Sequence, residues 1–396
     1  MNQSIYLKPG REKSILLRHP WIFSGAIART DGTPEPGETV VVRSATGEGI
    51  AKAAYSPHSS IRARVWSFDP LEEIDAAFLH RKLIQAIELR NILGLSAESN
   101  AFRLVYGESD GIPGVVVDQY GDVLALQLLS TGAEAWRDSI VTSLIELTGA
   151  KCIIERSDVD VRELEGLAQR KGIIYGNSPE VVHLIEENGL LFPVDVLGGQ
   201  KTGFYLDQRR NRQRVRALAQ GRKVLNCFSY SCGFSVYSLA GKAEQVLSVD
   251  SSNDALNLGG LALSANGIDR AKHEFIEADV FQALRKFRDS RQTFDMIILD
   301  PPKFAPTVAQ AERATRGYKD INLLAFKLLR PHGLLVTFSC SGGISADLFQ
   351  KIVTGAALDA GVDAKIVETL NQAPDHPVAL NFPEGAYLKG LICIVG

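Results

Sequence analysis

The apolar positions of this chain follow three successive rhythms. Up to about Asp69, short apolar runs such as Thr39 to Arg43 and Ile61 to Phe68 alternate with turn clusters, Pro34-Glu35-Pro36-Gly37 and Thr46-Gly47-Glu48-Gly49. That spacing predicts a small β-rich module over residues 1–70. Residues 71–190 open on a helical period from Ile74 to Leu93, closed by Gly94. Strand patterns follow at Phe102 to Tyr106, Ile112 to Gln119 and Val123 to Leu129, then a helix over Glu134 to Thr148 and a strand over Lys151 to Arg156. This block reads as a linking α+β domain without recognisable chemistry.

Residues 191–396 alternate strand and helix without a break. Strands are predicted at Lys223 to Asn226, Gln245 to Asp250, His273 to Glu277, Phe294 to Leu299 and Gly333 to Phe338. Their helices run over Gly233 to Leu239, Asn253 to Ala265, Val280 to Phe287, Gly317 to Leu329 and Ser345 to Ala360. Runs apolar on both faces, each followed by a helix, predict a parallel, doubly wound, Rossmann-like sheet. Two further strands, Ala364 to Leu370 and Leu388 to Val395, complete a mostly parallel sheet of seven as an edge hairpin. The fold class is therefore α/β, preceded by the small barrel and the middle domain.

Composition narrows the class. The chain has 396 residues, 45% hydrophobic and 22% charged, with a formal net charge of −3. These are the values of a soluble globular protein of more than one domain. No window is long and apolar enough to span a bilayer, and the start lacks the basic-then-apolar plan of a secretory signal. The five cysteines form no C-x-x-C pair and no zinc-spaced cluster, so a reduced, cytoplasmic thiol protein without a metal is expected. Basic residues concentrate locally. Lys201, Arg209, Arg210, Arg212, Arg214, Arg216, Arg222 and Lys223 are opposed by Asp207 alone. The run reads either as a phosphate-neutralising surface, with Arg209 and Arg210 against a nucleic acid, or as a solvated helix face. The first block is basic too. Its Trp21 and Phe23 are expected in a small core rather than stacked on bases.

The chemistry-bearing residues lie where predicted strands end, the edge at which open α/β sheets bind ligands. The first turn, Asn226-Cys227-Phe228-Ser229-Tyr230-Ser231-Cys232-Gly233, lacks the glycines that let a backbone approach a pyrophosphate. A ligand with a carboxylate and a nucleoside but no phosphate fits better, and S-adenosylmethionine is one. Asp250 ends the second strand seventeen residues past Gly233, placed to accept from ribose hydroxyls, and Asp279 follows the third strand on the adenine side. Taken singly, each Asp is as well explained as a helix cap. Asp300-Pro301-Pro302-Lys303-Phe304 follows the fourth strand; its prolines fix a carbonyl and an acid rigidly, suited to gripping a flipped base. Cys340, in Ser339-Cys340-Ser341-Gly342-Gly343, precedes a helix whose N-terminus favours an anion. The plainer reading of a cysteine, a buried structural thiol, is assigned to Cys227. Acid, rigid turn and thiol together suit attack on C6 of a pyrimidine and methylation at C5. Methylation of a base nitrogen or exocyclic amine is the rival, because acid-Pro-Pro-aromatic loops serve that reaction as well, but it needs no thiol.

These motifs, with Arg18-His19-Pro20-Trp21-Ile22-Phe23-Ser24-Gly25, Asp110-Gly111-Ile112-Pro113-Gly114, Lys201 to Arg209 and Gly317 to Asn322, resemble the bacterial large-subunit ribosomal RNA cytosine-C5 methyltransferase I family along essentially the whole chain. The resemblance implies an N-terminal PUA domain, a middle α/β domain and a Rossmann-like catalytic domain. It further implies S-adenosylmethionine as methyl donor, 23S ribosomal RNA as substrate, and a homodimer. Asn226, Phe228, Ser229, Tyr230, Ser231, Gly233, Asp250, Asp279 and Asp300 would then meet the donor. Pro301, Pro302, Lys303 and Phe304 would meet the base, Cys340 would be the nucleophile and Asp300 the acid. Many members of the wider RNA cytosine-C5 superfamily carry a second cysteine after the Pro-Pro pair. Here Lys303 stands there, so the base that removes the C5 proton is unassigned.

Overall fold

The computed structural model describes residues 3–177, 182–304 and 311–396, with the side chains of Ala311 and Arg313 left aside. The chain forms two compact units. One comprises Met1–Ile185, Val194–Leu206 and Pro374–Gly385; the other comprises Glu186–Pro193, Asp207–Ala373 and Ala386–Gly396. The three compositional blocks thus regroup, because two short segments from the last block pack with the first two. No helix among the described residues is long and apolar enough to cross a membrane.

In the first unit a six-stranded sheet runs in the order 21–23, 61–67, 49–55, 39–43, 4–7, 27–31. Ile5, Leu7, Ile22, Val40, Val42, Ala63 and Val65 form its core. Trp21 and Phe23 do not join them, contrary to expectation. Phe23 is 49% exposed, and Trp21 donates through Nε1 to Glu108 at 2.8 Å while meeting Phe382 edge-on. The reason is register: along Trp21–Phe23 it is Ile22 that points inward, so its neighbours point out. A second sheet orders its strands 170–176, 152–157, 123–128, 115–120, 101–106. The helix Ala76–Ile92 begins at Asp75, whose carboxylate accepts from Phe78 N, and ends at Gly94 with φ +65°. The Asp110-Gly111 turn has a structural explanation. Buried Asp110 takes Arg90 at 2.8 Å and the backbone N–H of Tyr106 at 2.6 Å.

The second unit holds the predicted seven-stranded sheet. Its strands are β1 (Lys223–Cys227), β2 (Gln245–Asp250), β3 (His273–Glu277), β4 (Phe294–Leu299), β5 (Leu329–Ser339), β6 (Ala364–Leu370) and β7 (Lys389–Val395). The order is β3-β2-β1-β4-β5-β7-β6, with β7 antiparallel to both neighbours and the others parallel. Strand β7 therefore inserts between β5 and β6. The order reverses beside β1, which makes the carboxyl end of β1 a topological switch point. Leu225, Leu247, Ile297, Leu299 and Leu335 are buried in one core with Tyr318, Phe326 and Phe349 of the covering helices.

A polar chain crosses this sheet. Asn226 Nδ2 on β1 donates to Ser235 Oγ at 2.8 Å; Ser235 Oγ lies 2.6 Å from Ser248 Oγ on β2, which lies 2.8 Å from His273 Nε2 on β3. Burial lowers the His273 pKa to about 4, so the ring is neutral and completes the chain.

The basic run divides by helix face. On Arg209–Leu218, Arg209 and Arg212 are buried and Arg210 and Arg214 are exposed. Arg212 meets Glu187 through two bonds, 2.8 and 2.7 Å, and Tyr237 donates to the same carboxylate at 2.9 Å. Arg214 pairs with Glu368 at 2.6 Å. Neither sequence reading holds for the whole run, since the helix turns every third or fourth side chain inward. Arg209, expected against the nucleic acid, is 0% exposed and has no surface to offer it.

Two outcomes follow from these buried polar groups. Arg212→Met should destabilise the fold by about 3–5 kcal/mol, because Glu187 would stay buried without its cation. Arg210→Glu should cost far less, because that side chain is exposed and its interactions are screened by solvent. Equal urea midpoints for the two variants would refute the pairing argument. The depressed His273 pKa favours the fold above the unfolded value of 6.5, and that contribution fades as pH falls toward about 4. Wild type should lose up to about 3 kcal/mol over that window. A variant His273→Asn that lost as much between the same pH values would remove His273 from the account.

Candidate active site at the carboxyl edge of the sheet

The turn after β1 is built without the glycines of a phosphate loop, and it takes an uncommon backbone. Phe228, Tyr230 and Cys232 all adopt positive φ, +57°, +46° and +61°. For residues bearing a Cβ each such conformation costs about 1–2 kcal/mol, so neighbouring bonds must impose it. Ser229 N donates to Val249 O at 3.1 Å, Cys232 N to Ser229 O at 2.8 Å, and Tyr230 N to Asp250 Oδ2 at 2.8 Å. Cys232 is fully buried, and burial pushes its thiol up to about 11. Its Sγ leaves no room on the facing helix: a Cβ at Gly259 would lie 2.6 Å from it. Cys227 is buried as expected, its thiol pushed far up by desolvation.

Asp250 does more than the sequence suggested. Its two oxygens accept from Tyr230 N and, at 2.9 Å, from Ser252 N, so one half-buried carboxylate fixes both turns. Each oxygen keeps a lone pair for a further donor. Asp279 is exposed and caps the helix Val280–Asp289 by accepting from Gln282 N at 3.0 Å. Beside it stands Phe281, which sequence reasoning missed because it read as one more apolar residue of an amphipathic helix. The Phe281 ring lies 6.5 Å from Phe228 and 5.9 Å from Phe304.

The residues present fit S-adenosylmethionine. Asn226 Oδ1 and Ser231 Oγ are buried at this turn without a hydrogen-bond partner. Unsatisfied acceptors at a switch point await polar groups such as an amino acid moiety. Asp250 adds acceptor capacity for hydroxyls, and Phe228 and Phe281 add apolar surface. Gly233 starts the following helix and is buried.

The loop after β4 brings the acid and the thiol together. Gln208 Nε2 donates to Asp300 Oδ2 at 3.0 Å, and Asn211 Nδ2 holds Gln208 Oε1 at 2.6 Å. Both orienting residues are buried; Gln208 belongs to the Lys201 to Arg209 motif, but the sequence tied neither residue to Asp300. Pro301 is buried, whereas Pro302 and Lys303 are exposed. Phe304 turns back onto the protein, with Tyr318 at 4.8 Å and Gly317 so near that a Cβ there would sit 3.3 Å from its ring. Phe304, expected against the base, also braces the loop.

Cys340 is the one cysteine that is not buried. Its Sγ lies 3.9 Å from Pro301 O, so thiol and acid-bearing loop share one crevice. The following helix, Ala346–Ala360, has Ser345 as its cap, accepting from Leu348 N. A cation the sequence did not disclose stands nearby. Lys389, the first residue of β7, donates through Nζ to Ser341 O at 2.8 Å.

Comparison with known proteins agrees with this geometry. A family profile described as S-adenosylmethionine-dependent methyltransferase matches residues 172–392, and one described as PUA-like domain matches residues 5–68. Among curated relatives, a Cronobacter sakazakii protein is 50% identical over 395 residues, 100% of both chains, and a Tolumonas auensis protein 52% over 393 residues, 99% of both. Both are named ribosomal RNA large subunit methyltransferase I. A solved Streptococcus mutans structure described as a SAM-dependent methyltransferase shares the fold at TM-score 0.86 and 22% identity, covering 100% of both chains. Another, described as a methyltransferase complexed with SAH, does so at TM-score 0.87 and 23% identity, again over 100% of both. The chain belongs to the ribosomal RNA large subunit methyltransferase I family, among the S-adenosylmethionine-dependent methyltransferases.

Proposed function

We propose that this methyltransferase acts on C5 of a cytosine in large-subunit ribosomal RNA, with Cys340 adding covalently to C6. The names of the relatives support the RNA substrate. The carrying observation for the chemistry is the part-buried Cys340 thiol 3.9 Å from the Pro301 carbonyl. Methylation at a nitrogen would leave that thiol without a task.

S-adenosylmethionine, when bound, supplies an electrophilic methyl group. Asn226, Ser231 and Asp250 hold it through the acceptors described above, with Asp279 and Phe281 toward its base. The remaining work falls to the protein and the cytosine. C5 of cytosine is a weak nucleophile. Addition of the Cys340 thiolate at C6 breaks the C5–C6 π bond and moves its electrons into an enamine across C4–C5, which makes C5 nucleophilic. Asp300, oriented by Gln208, shares a hydrogen bond with the N3 edge and accommodates charge that develops in the ring. Pro301 holds its carbonyl and the acid in fixed relation. After methylation the C5 proton leaves to a base, the electron pair returns to the ring, and the C6–S bond breaks. Exposed Pro302, Lys303 and Arg210 are available to the RNA, with Lys303 and Arg210 as phosphate partners.

Cys340→Ala should abolish methylation while leaving S-adenosylmethionine affinity nearly unchanged. RNA carrying 5-fluorocytosine should trap wild type as a stable adduct, since fluorine does not leave as a proton, and should not trap the variant. Full activity in Cys340→Ala would overturn the C5 mechanism in favour of nitrogen methylation. Asp250→Ala should weaken donor binding by at least about 1.5–3 kcal/mol, the value of a charge-assisted hydrogen bond. The loss should exceed that range if the Tyr230 turn relaxes with it. Unchanged affinity by calorimetry would take Asp250 out of the site.

A further inference from the structure

We propose that Lys389 is the positioning residue for Cys340: its ammonium ties down the segment carrying the thiol and supplies the positive charge that favours the thiolate. This rests on the C5 reading above, in which Cys340 attacks as a thiolate.

The fold brings Lys389 to this place through pairing. In the antiparallel ladder between β5 and β7, Lys389 stands opposite Ser339, the residue before Cys340. Its Nζ then reaches the carbonyl of Ser341, the residue after Cys340, at 2.8 Å. Cys340 is thus bracketed on both sides by contacts to one lysine. The glycines Gly342 and Gly343 follow directly, and the ammonium on Ser341 limits the freedom they would give the thiol.

The electrostatics agree with the geometry. Burial lowers the Lys389 pKa, the charge of Cys340 acts in the opposite sense, and Lys303 adds to the lowering. Lysine and thiolate therefore favour each other's charged forms. The other groups around the thiol do not replace this cation. Tyr318 has its hydroxyl pKa raised by burial and, in the same direction, by Cys340, so it stays neutral. It also lies 3.0 Å from Ser341 Oγ. Asp300, next to the Pro301 carbonyl that the thiol meets, is held by Gln208 and supplies no cation. Lys303, on the same loop, is exposed to solvent and screened. Lys389 is half-buried, where a charge counts for more.

The test measures the thiol itself. Cys340 in the full-length protein is alkylated with iodoacetamide from neutral to alkaline pH and followed by peptide mass spectrometry, with the four buried cysteines as internal controls. In Lys389→Met the midpoint of alkylation should rise by about one pH unit or more. Lys389→Arg should restore it, and the pH profile of methylation should move in step. Lys389→Gln gives the same reading should the Met variant not fold. A midpoint unmoved by loss of the charge would overturn the proposal, even if methylation fell. Because alkylation needs no RNA, that result leaves the C5 reading standing. An active Cys340→Ala variant would instead remove the C5 reading and leave the thiol measurement valid.

Discussion

The candidate site depends on strand register. In the parallel pairs, Cys227 of β1 lies beside Leu299 of β4, and Leu299 beside Thr337 of β5. Three loops therefore leave the sheet at nearly one level: the Asn226–Gly233 turn, the Asp300 loop and the Cys340 loop. A slip of one residue would turn each strand's side chains to the opposite face. The apolar runs Met296 to Leu299 and Leu334 to Val336 are buried, so the core resists such a slip. The register that fills the core is the same one that brings Cys340 Sγ to the Pro301 carbonyl.

Elements whose signal is local were legible in the sequence. Each predicted strand of the catalytic sheet is present to within a few residues, because long apolar runs alternating with helical periods admit few topologies. Asp300, Pro301 and Cys340 were noticed as candidates because each follows an apolar run, and the structure sets the Cys340 thiol beside the Pro301 carbonyl. What escaped was set by pairing between distant segments. Gln208 and Asn211 lie some ninety residues before Asp300, and nothing local tied either of them to that acid. Phe281 looked like an ordinary apolar position, and the Gly317 to Asn322 motif did not disclose that Tyr318 packs on Phe304. Trp21 and Phe23 were expected inside because aromatic residues usually are. In a strand of three residues around Ile22, the alternation of faces decided otherwise. The arginines were read from composition, whereas burial of Arg209 and Arg212 depends on which helix face meets Glu187 and the core.

Much of the polarity in the second unit serves to hold backbone that would otherwise relax. Three left-handed residues in the first turn are accompanied by bonds to the Asp250 carboxylate, to the Val249 carbonyl of β2 and to the turn's own Ser229 carbonyl. Glycines would have taken those angles freely, but they would also have given the turn more conformations to lose. The Ser235, Ser248 and His273 chain fixes the Asn226 amide, and this leaves Asn226 Oδ1 facing outward from the chain unpaired. Strain and an unsatisfied acceptor at the same turn are what a preorganised binding site looks like before its ligand is present.

Insertion of β7 between β5 and β6 explains why the chain's last strand belongs to the site. A sixth parallel strand beside β5 would end at the same edge as the others, and its first residue would start at the far end of the sheet. An antiparallel strand begins where its neighbour ends. Lys389 opens β7 opposite Ser339, near the end of β5, and so arrives at the thiol from a segment nearly fifty residues further along the chain. The edge of the sheet receives the Asp300 carboxyl and the Cys340 thiol from parallel strands. The compensating cation comes from the one strand whose direction lets it start there.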